Sequence, residues 1–217
     1  MNKIYKAKLI VFVSPDGGGK TTTINKLKKL ISDEYNINER HIRFNNIPRF
    51  GQLLYRLMHP FQKGPVFIAS KSITNSPIKK HVYGKSVPLW KIIIVLAYDT
   101  LDYLLGHISI LSKNSNTIYI FDRYIYDYYT ERDWSSTPRW LLRLLMKLIP
   151  KPSLIVILRN NPEVIHKRKA ELSIVDINYT QDRIDCLLSG DQNVMDVSTC
   201  QSPEDIAKKV VTHSELI

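Results

Sequence analysis

The chain has 217 residues, 44% of them hydrophobic and 24% charged. That is enough for one α/β domain with a full core over 1–217, too little for two comfortable domains, and it excludes wholesale disorder. Lys and Arg number 31 against 20 Asp and Glu, a formal charge of +11, so the expected partners are anionic: nucleotides, polyphosphates, nucleic acid or an acidic membrane face.

The two cysteines, Cys186 and Cys200, are too few for a disulfide framework. No Cys-x-x-Cys pair or His cluster has metal-ligand spacing, so zinc is not expected and a reducing, cytoplasmic location is. Met1 to Lys8 lacks the apolar stretch and cleavage site of a signal peptide. The greasiest region, Leu89 to Leu111, is interrupted by Asp99, Asp102 and His107, and it reads as a buried helix rather than a membrane span.

In chain order, Lys8 to Val13 (KLIVFV) is a continuous apolar run that stops at a Gly-rich loop, which suits a strand buried on both faces. Ile24, Leu27, Leu30 and Ile31 then recur at helical spacing opposite Lys26, Lys28 and Lys29. His41 to Asn45 alternates and predicts a second strand, and Gly51 to Met58 predicts a helix. Residues 59–88 hold four prolines, two glycines and five lysines without periodicity, and they read as a long loop or insertion. Leu89 to Ser112 predicts one long central helix, and Thr117 to Phe121 (TIYIF) a third strand running into Asp122-Arg123-Tyr124.

Pro138 to Ile149 predicts a helix with Arg139, Arg143 and Lys147 at i, i+4 and i+8 among apolar residues. Packing against the sheet or a second subunit is the expected use of that helix, ahead of lying on an acidic membrane. Ser153 to Leu158 predicts strand four. Asn161 is the expected cap of a helix with Pro162 at its first position. Gln192 to Val197 predicts strand five, and Ser202-Pro203-Glu204-Asp205 opens the last helix. Strands alternating with helices predict a five-stranded parallel sheet with helices on both faces and ligands at the carboxyl ends of the strands.

Residues 14–21 read SPDGGGKT. Gly19, Lys20 and Thr21 match the phosphate loop G-x-x-x-x-G-K-[ST], with Ser14 in place of the first glycine. Glycines let backbone N–H groups turn around an anion, and the helix start that follows adds unpaired donors and partial positive charge. Lys20 supplies a point charge for the β- and γ-phosphates, and the Thr21 hydroxyl can ligate Mg²⁺.

Pro15-Asp16-Gly17-Gly18-Gly19-Lys20-Thr21-Thr22 resembles the P-D-G-x-G-K-[ST]-T loop of the thymidylate kinase family. Ile118 to Tyr124 resembles that family's strand ending in D-R-Y. Lys151 to Leu158, followed by Pro162-Glu163-Val164 and Arg168, resembles its fourth strand and the helix after it, and Ser202 to Ile206 its final helix start. The resemblance spans most of the chain except 59–88. It implies a P-loop kinase fold and transfer of the ATP γ-phosphoryl group to a nucleoside monophosphate, with Mg²⁺.

By that resemblance Asp16, Gly17, Gly18, Gly19, Lys20, Thr21 and Thr22 bind ATP. Lys20, Arg123 and Arg168 serve catalysis, Thr21 and Asp122 lie at the metal, and Asp16, Arg49, Arg123 and Tyr124 face the acceptor. Arg56 is a weaker acceptor-side expectation, and residues 199–201 would line the adenine side. The chain departs from the family where Asp99 is followed by Thr100, where Leu158 is followed by Arg159, and where 172–179 carries no arginine. These departures bear on the acceptor more than on ATP. Two other readings therefore stay open: a P-loop kinase acting on a sugar or lipid-linked group, and a non-catalytic nucleotide-binding regulator. The expected partners are ATP and a small-molecule acceptor. A homodimer is left open; specific nucleic-acid binding is not expected, because no aromatics interleave with the basic clusters, and membrane association is not expected either.

Overall fold

The computed structural model describes residues 8–40, 69–71, 77–79, 89–112, 117–126, 130, 139–170 and 172–214. Five strands, β1 (Lys8–Val13), β2 (Asn36–Arg40), β5 (Thr117–Phe121), β6 (Leu154–Arg159) and β7 (Val194–Ser198), form one sheet. Their order is β2-β5-β1-β6-β7, and every pairing is parallel. A separate antiparallel pair joins β3 (Ala69–Lys71) to β4 (Pro77–Lys79).

Alternation along β1 sorts the core into two layers. Ile10 and Phe12 face α1 (Lys20–Ile31) and α6 (Pro203–His213), through Ile24, Leu27, Ile206 and Val210. Leu9, Val11 and Val13 face the other side, where α2 (Leu89–Ser112), α3 (Arg139–Leu148) and α5 (Ile174–Leu188) contribute Leu96, Tyr103, Leu141, Leu145 and Ile184. A short helix, α4 (Pro162–Arg168), follows β6. The sheet is thus covered on both faces, which is why β1, β5 and β6 read as unbroken apolar runs.

The predicted second strand at 41–45 and the helix at 51–58 lie outside the described residues. The strand found is Asn36–Arg40, a polar segment beside β5 whose Glu39 pairs with Lys28 of α1. The stretch read as a long loop or insertion contains the β3–β4 pair, and the rest of 59–88 lies outside the described residues. Helix α5 was not predicted; the other predicted elements fall within about two residues of the bounds found, as helix and strand ends commonly do. Among the described residues no helix is long and apolar enough to cross a membrane.

The order of strands creates a switch point. From β1 the chain moves toward β2 on one side of the sheet, and from β6 toward β7 on the other. Beyond the carboxyl ends of this adjacent pair the two connections diverge and leave a crevice.

Candidate functional site

The crevice is a cleft of about 1000 Å³. Its floor is the loop between β1 and α1. Asp122 and Arg123 come from the end of β5, Arg168 and Lys169 from the end of α4, and Thr199 to Pro203 from the segment joining β7 to α6.

Loop geometry follows from its glycines. Gly17 and Gly19 have φ of 89° and 96°, in the left-handed region where a side chain would be strained. Gly18 is needed for space instead: a Cβ there would lie 1.7 Å from Ser14 Oγ, 2.9 Å from Ser14 Cβ and 3.0 Å from the Pro15 carbonyl oxygen. Ser14 thus fills the volume that a side chain at 18 would need, and its hydroxyl donates to the Pro15 carbonyl at 3.2 Å. Gly18→Ala is expected to destabilise the fold by about 1–3 kcal/mol through overpacking, and Ser14→Gly in the same chain should recover most of that loss. Thermal melts of the single and double variants check this.

Helix α1 begins differently from three others. Asn161, Ser173 and Ser202 each accept an N–H in the first turn of α4, α5 and α6. Gly19 caps α1 without any side chain, and no acidic residue lies in its first turn. This helix start therefore has no side-chain cap, its residues line the cleft, and the positive end of the helix dipole lies there.

Cations surround this mouth. Lys20 is only 7% exposed, and its Nζ donates to the Ser14 carbonyl at 2.6 Å. Asp16 lies at the centre of the group: Arg123 Nη2 donates to its Oδ1, Lys169 Nζ donates to its Oδ2 at 3.2 Å, and Lys20 Nζ stands 3.9 Å away. Burial alone would push the Asp16 carboxyl up. Arg123, then Lys20 and Lys169, outweigh burial and hold it below the ordinary value of 3.8.

A carboxyl lowered on folding stabilises the native state above its unfolded pKa and loses that contribution as pH falls through the folded value. The contribution from Asp16 is therefore fully present above 3.8 and fades below it. Asp16→Asn should melt earlier than the parent at neutral pH and lose less further stability on acidification to about pH 3. Parallel melts across that range read the difference.

Of the expected residues, Asp16, Gly17, Gly18, Gly19, Lys20, Thr21, Thr22, Asp122, Arg123 and Arg168 all line the cleft. Thr199, Cys200 and Gln201 do so too, with Thr199 accepting a hydrogen bond from Asn160. Tyr124 does not. It is fully buried against Phe121 and Tyr103, and its hydroxyl donates to the Pro150 carbonyl at 2.7 Å. An acceptor contact by Tyr124 is thus replaced by a core hydrogen bond. Arg49 and Arg56 lie outside the described residues. Arg159, at a family departure, pairs with Asp185 of α5 and Asp196 of β7 and ties those elements to β6.

Lys169 was not among the site residues expected from the sequence, although it adjoins Arg168. Helix α4 ends at Arg168, and Lys169 turns into extended backbone at φ −146°, which carries its side chain across Gly17 to Asp16. No signal in the sequence marks that turn. A comparison with protein-family models finds no match, and a comparison with curated proteins finds none either.

Proposed function

We propose that the chain is an ATP-dependent phosphotransferase of the thymidylate kinase-like kind, moving the γ-phosphoryl group of ATP to a nucleoside monophosphate. One observation carries this reading: Lys20, Arg123 and Lys169 converge around an uncapped helix mouth in a single cleft. A dense, fixed positive field of that size suits a polyphosphate better than any single carboxylate.

Each group then has a task. The amides at the start of α1 and the Lys20 ammonium hold the β- and γ-phosphates. Arg123, paired with Asp16 of the loop, offers two parallel donors to the transferred phosphoryl group or the acceptor phosphate. Arg168 adds charge at the rim. Asp16 keeps Arg123 and Lys169 close to the loop until phosphate oxygens compete for them. Catalysis by such a set is positioning and electrostatics, because phosphoryl transfer asks little covalent help from a protein.

Thr21 and Asp122 suit a Mg²⁺ ion, since both border the cleft beside the loop. Among the described residues no three His, Cys, Asp or Glu side chains form a metal cage. Magnesium is commonly held by one or two protein oxygens, with phosphates and waters completing its shell. When bound it would offset charge on the β- and γ-phosphate oxygens.

The test is ADP release from Mg·ATP by the purified protein with dTMP, other nucleoside monophosphates and sugars. Stimulation by a nucleoside monophosphate of about tenfold or more supports the reading. Stimulation by a sugar or lipid-linked hydroxyl alone moves the activity to a non-nucleotide acceptor. Slow hydrolysis unmoved by every acceptor makes the protein a nucleotide-binding regulator.

A further inference from the structure

We propose that the outer face of α2 and α3 docks on an anionic lipid bilayer. Helix α3 buries Leu141, Leu145 and Ile149 against the sheet. On the flank beside that stripe, about 100° round the helix, Trp140, Leu144 and Leu148, again spaced by four, stand 65%, 49% and 50% exposed. The helix is therefore apolar twice over, once toward the core and once toward solvent.

Helix α2 packs beside α3 on the same face of the sheet and continues the pattern. Its exposed side carries Trp90, Leu101 and Ile108, at 54%, 51% and 62%. These residues share one helical face, and at 1.5 Å per residue the stripe is about 27 Å long. Isolated exposed apolar residues need no explanation, but an exposed apolar stripe on each of two neighbouring helices does.

Charge decides between occupants. From Arg139 to Lys151 the sequence holds four basic residues and no acidic one. Lys147 and Lys151 are both exposed. In a symmetric pairing of two copies through α3, these cationic segments would oppose each other, whereas anionic headgroups would satisfy them. Tryptophan and leucine flanked by lysine and arginine, on a helix too short to span, is the pattern of a segment lying in the bilayer interface. The sequence placed this option behind packing because spacing alone could not show that α3 has a second apolar stripe left uncovered.

Sedimentation of the full chain with vesicles tests the proposal. Binding is expected to phosphatidylcholine vesicles containing phosphatidylglycerol, with release by high salt and little binding to phosphatidylcholine alone. Trp140→Ser combined with Leu144→Ser should lower the bound fraction about tenfold or more. Both positions are exposed, so the variant is expected to melt like the parent, and ATP turnover gives a second check that it is folded. No binding to anionic vesicles overturns the proposal. Binding that the double variant leaves unchanged overturns it too. So does a dimer in the ultracentrifuge that the double variant dissociates, because the face would then belong to a second copy.

Discussion

Lys20→Ala is expected to lower ATP turnover by about 100- to 1000-fold or more while the protein still folds. The ammonium sits at the α1 mouth, largely buried, and donates to the Ser14 carbonyl at 2.6 Å. When a triphosphate arrives, no other group in the loop offers a positive point charge at that position. Removing it forfeits stabilisation of the charge that shifts toward the β–γ bridge during transfer. Stability should change little: a hydrogen bond from a charged group is worth about 1.5–3 kcal/mol, but the burial penalty of the ammonium disappears with it. Steady-state kinetics beside a thermal melt separate the two effects. Turnover within about threefold of the parent, in a folded variant, would contradict the assignment.

Arg123→Ala is expected to fall on a different parameter. The guanidinium reaches the cleft from the end of β5 rather than from the loop and helix start, so ATP held by the loop amides and Lys20 would keep most of its contacts. Transfer should drop about 1000-fold, with the dissociation constant of Mg·ATP changed less than about threefold. Arg123→Lys should recover only part of the rate, since a single ammonium cannot present two parallel donors.

The same substitution has a second readout. Arg123 is the largest of the attractive influences that lower the Asp16 carboxyl. Without it that carboxyl rises, and the acid limb of the stability profile moves to higher pH. Calorimetry of nucleotide binding, single-turnover kinetics and acid melts together test the assignment, and equal losses in affinity and rate would sink it.

Legibility in the sequence followed burial. The runs at β1, β5 and β6 are apolar on both faces because helices cover both, and such runs need no partner information to be recognised. Asn161 and Ser202 announced α4 and α6 because capping is a local affair of one side chain and one N–H. Strand β2 was missed for the opposite reason. Asn36 to Arg40 is a polar segment at the side of the sheet, so hydropathy favoured the greasier neighbour at 41–45.

Helix α5 carried its own signals, Ser173 ahead of Asp176 and then Ile177, Ile184 and Leu188 facing inward. The family pattern drew attention to missing arginines in that stretch instead. The site divided in the same manner. The loop is contiguous and spelled out in eight residues. Lys169 reaches Asp16 across 153 positions, and Tyr124 turns inward to meet Pro150, contacts that only the assembled chain could reveal.

The exchange of bulk between Ser14 and Gly18 reaches beyond this one chain. A loop with glycine at 14 and a side chain at 18 is expected to fit as well, and the order of change decides the route: the glycine–glycine step is open, whereas side chains at both positions collide. A library varied one position at a time would record position 18 as intolerant and miss that the intolerance depends on Ser14. Inheritance at these two codons is therefore expected to be correlated, and a side chain transplanted to position 18 should fail beside Ser14 and succeed beside a glycine there.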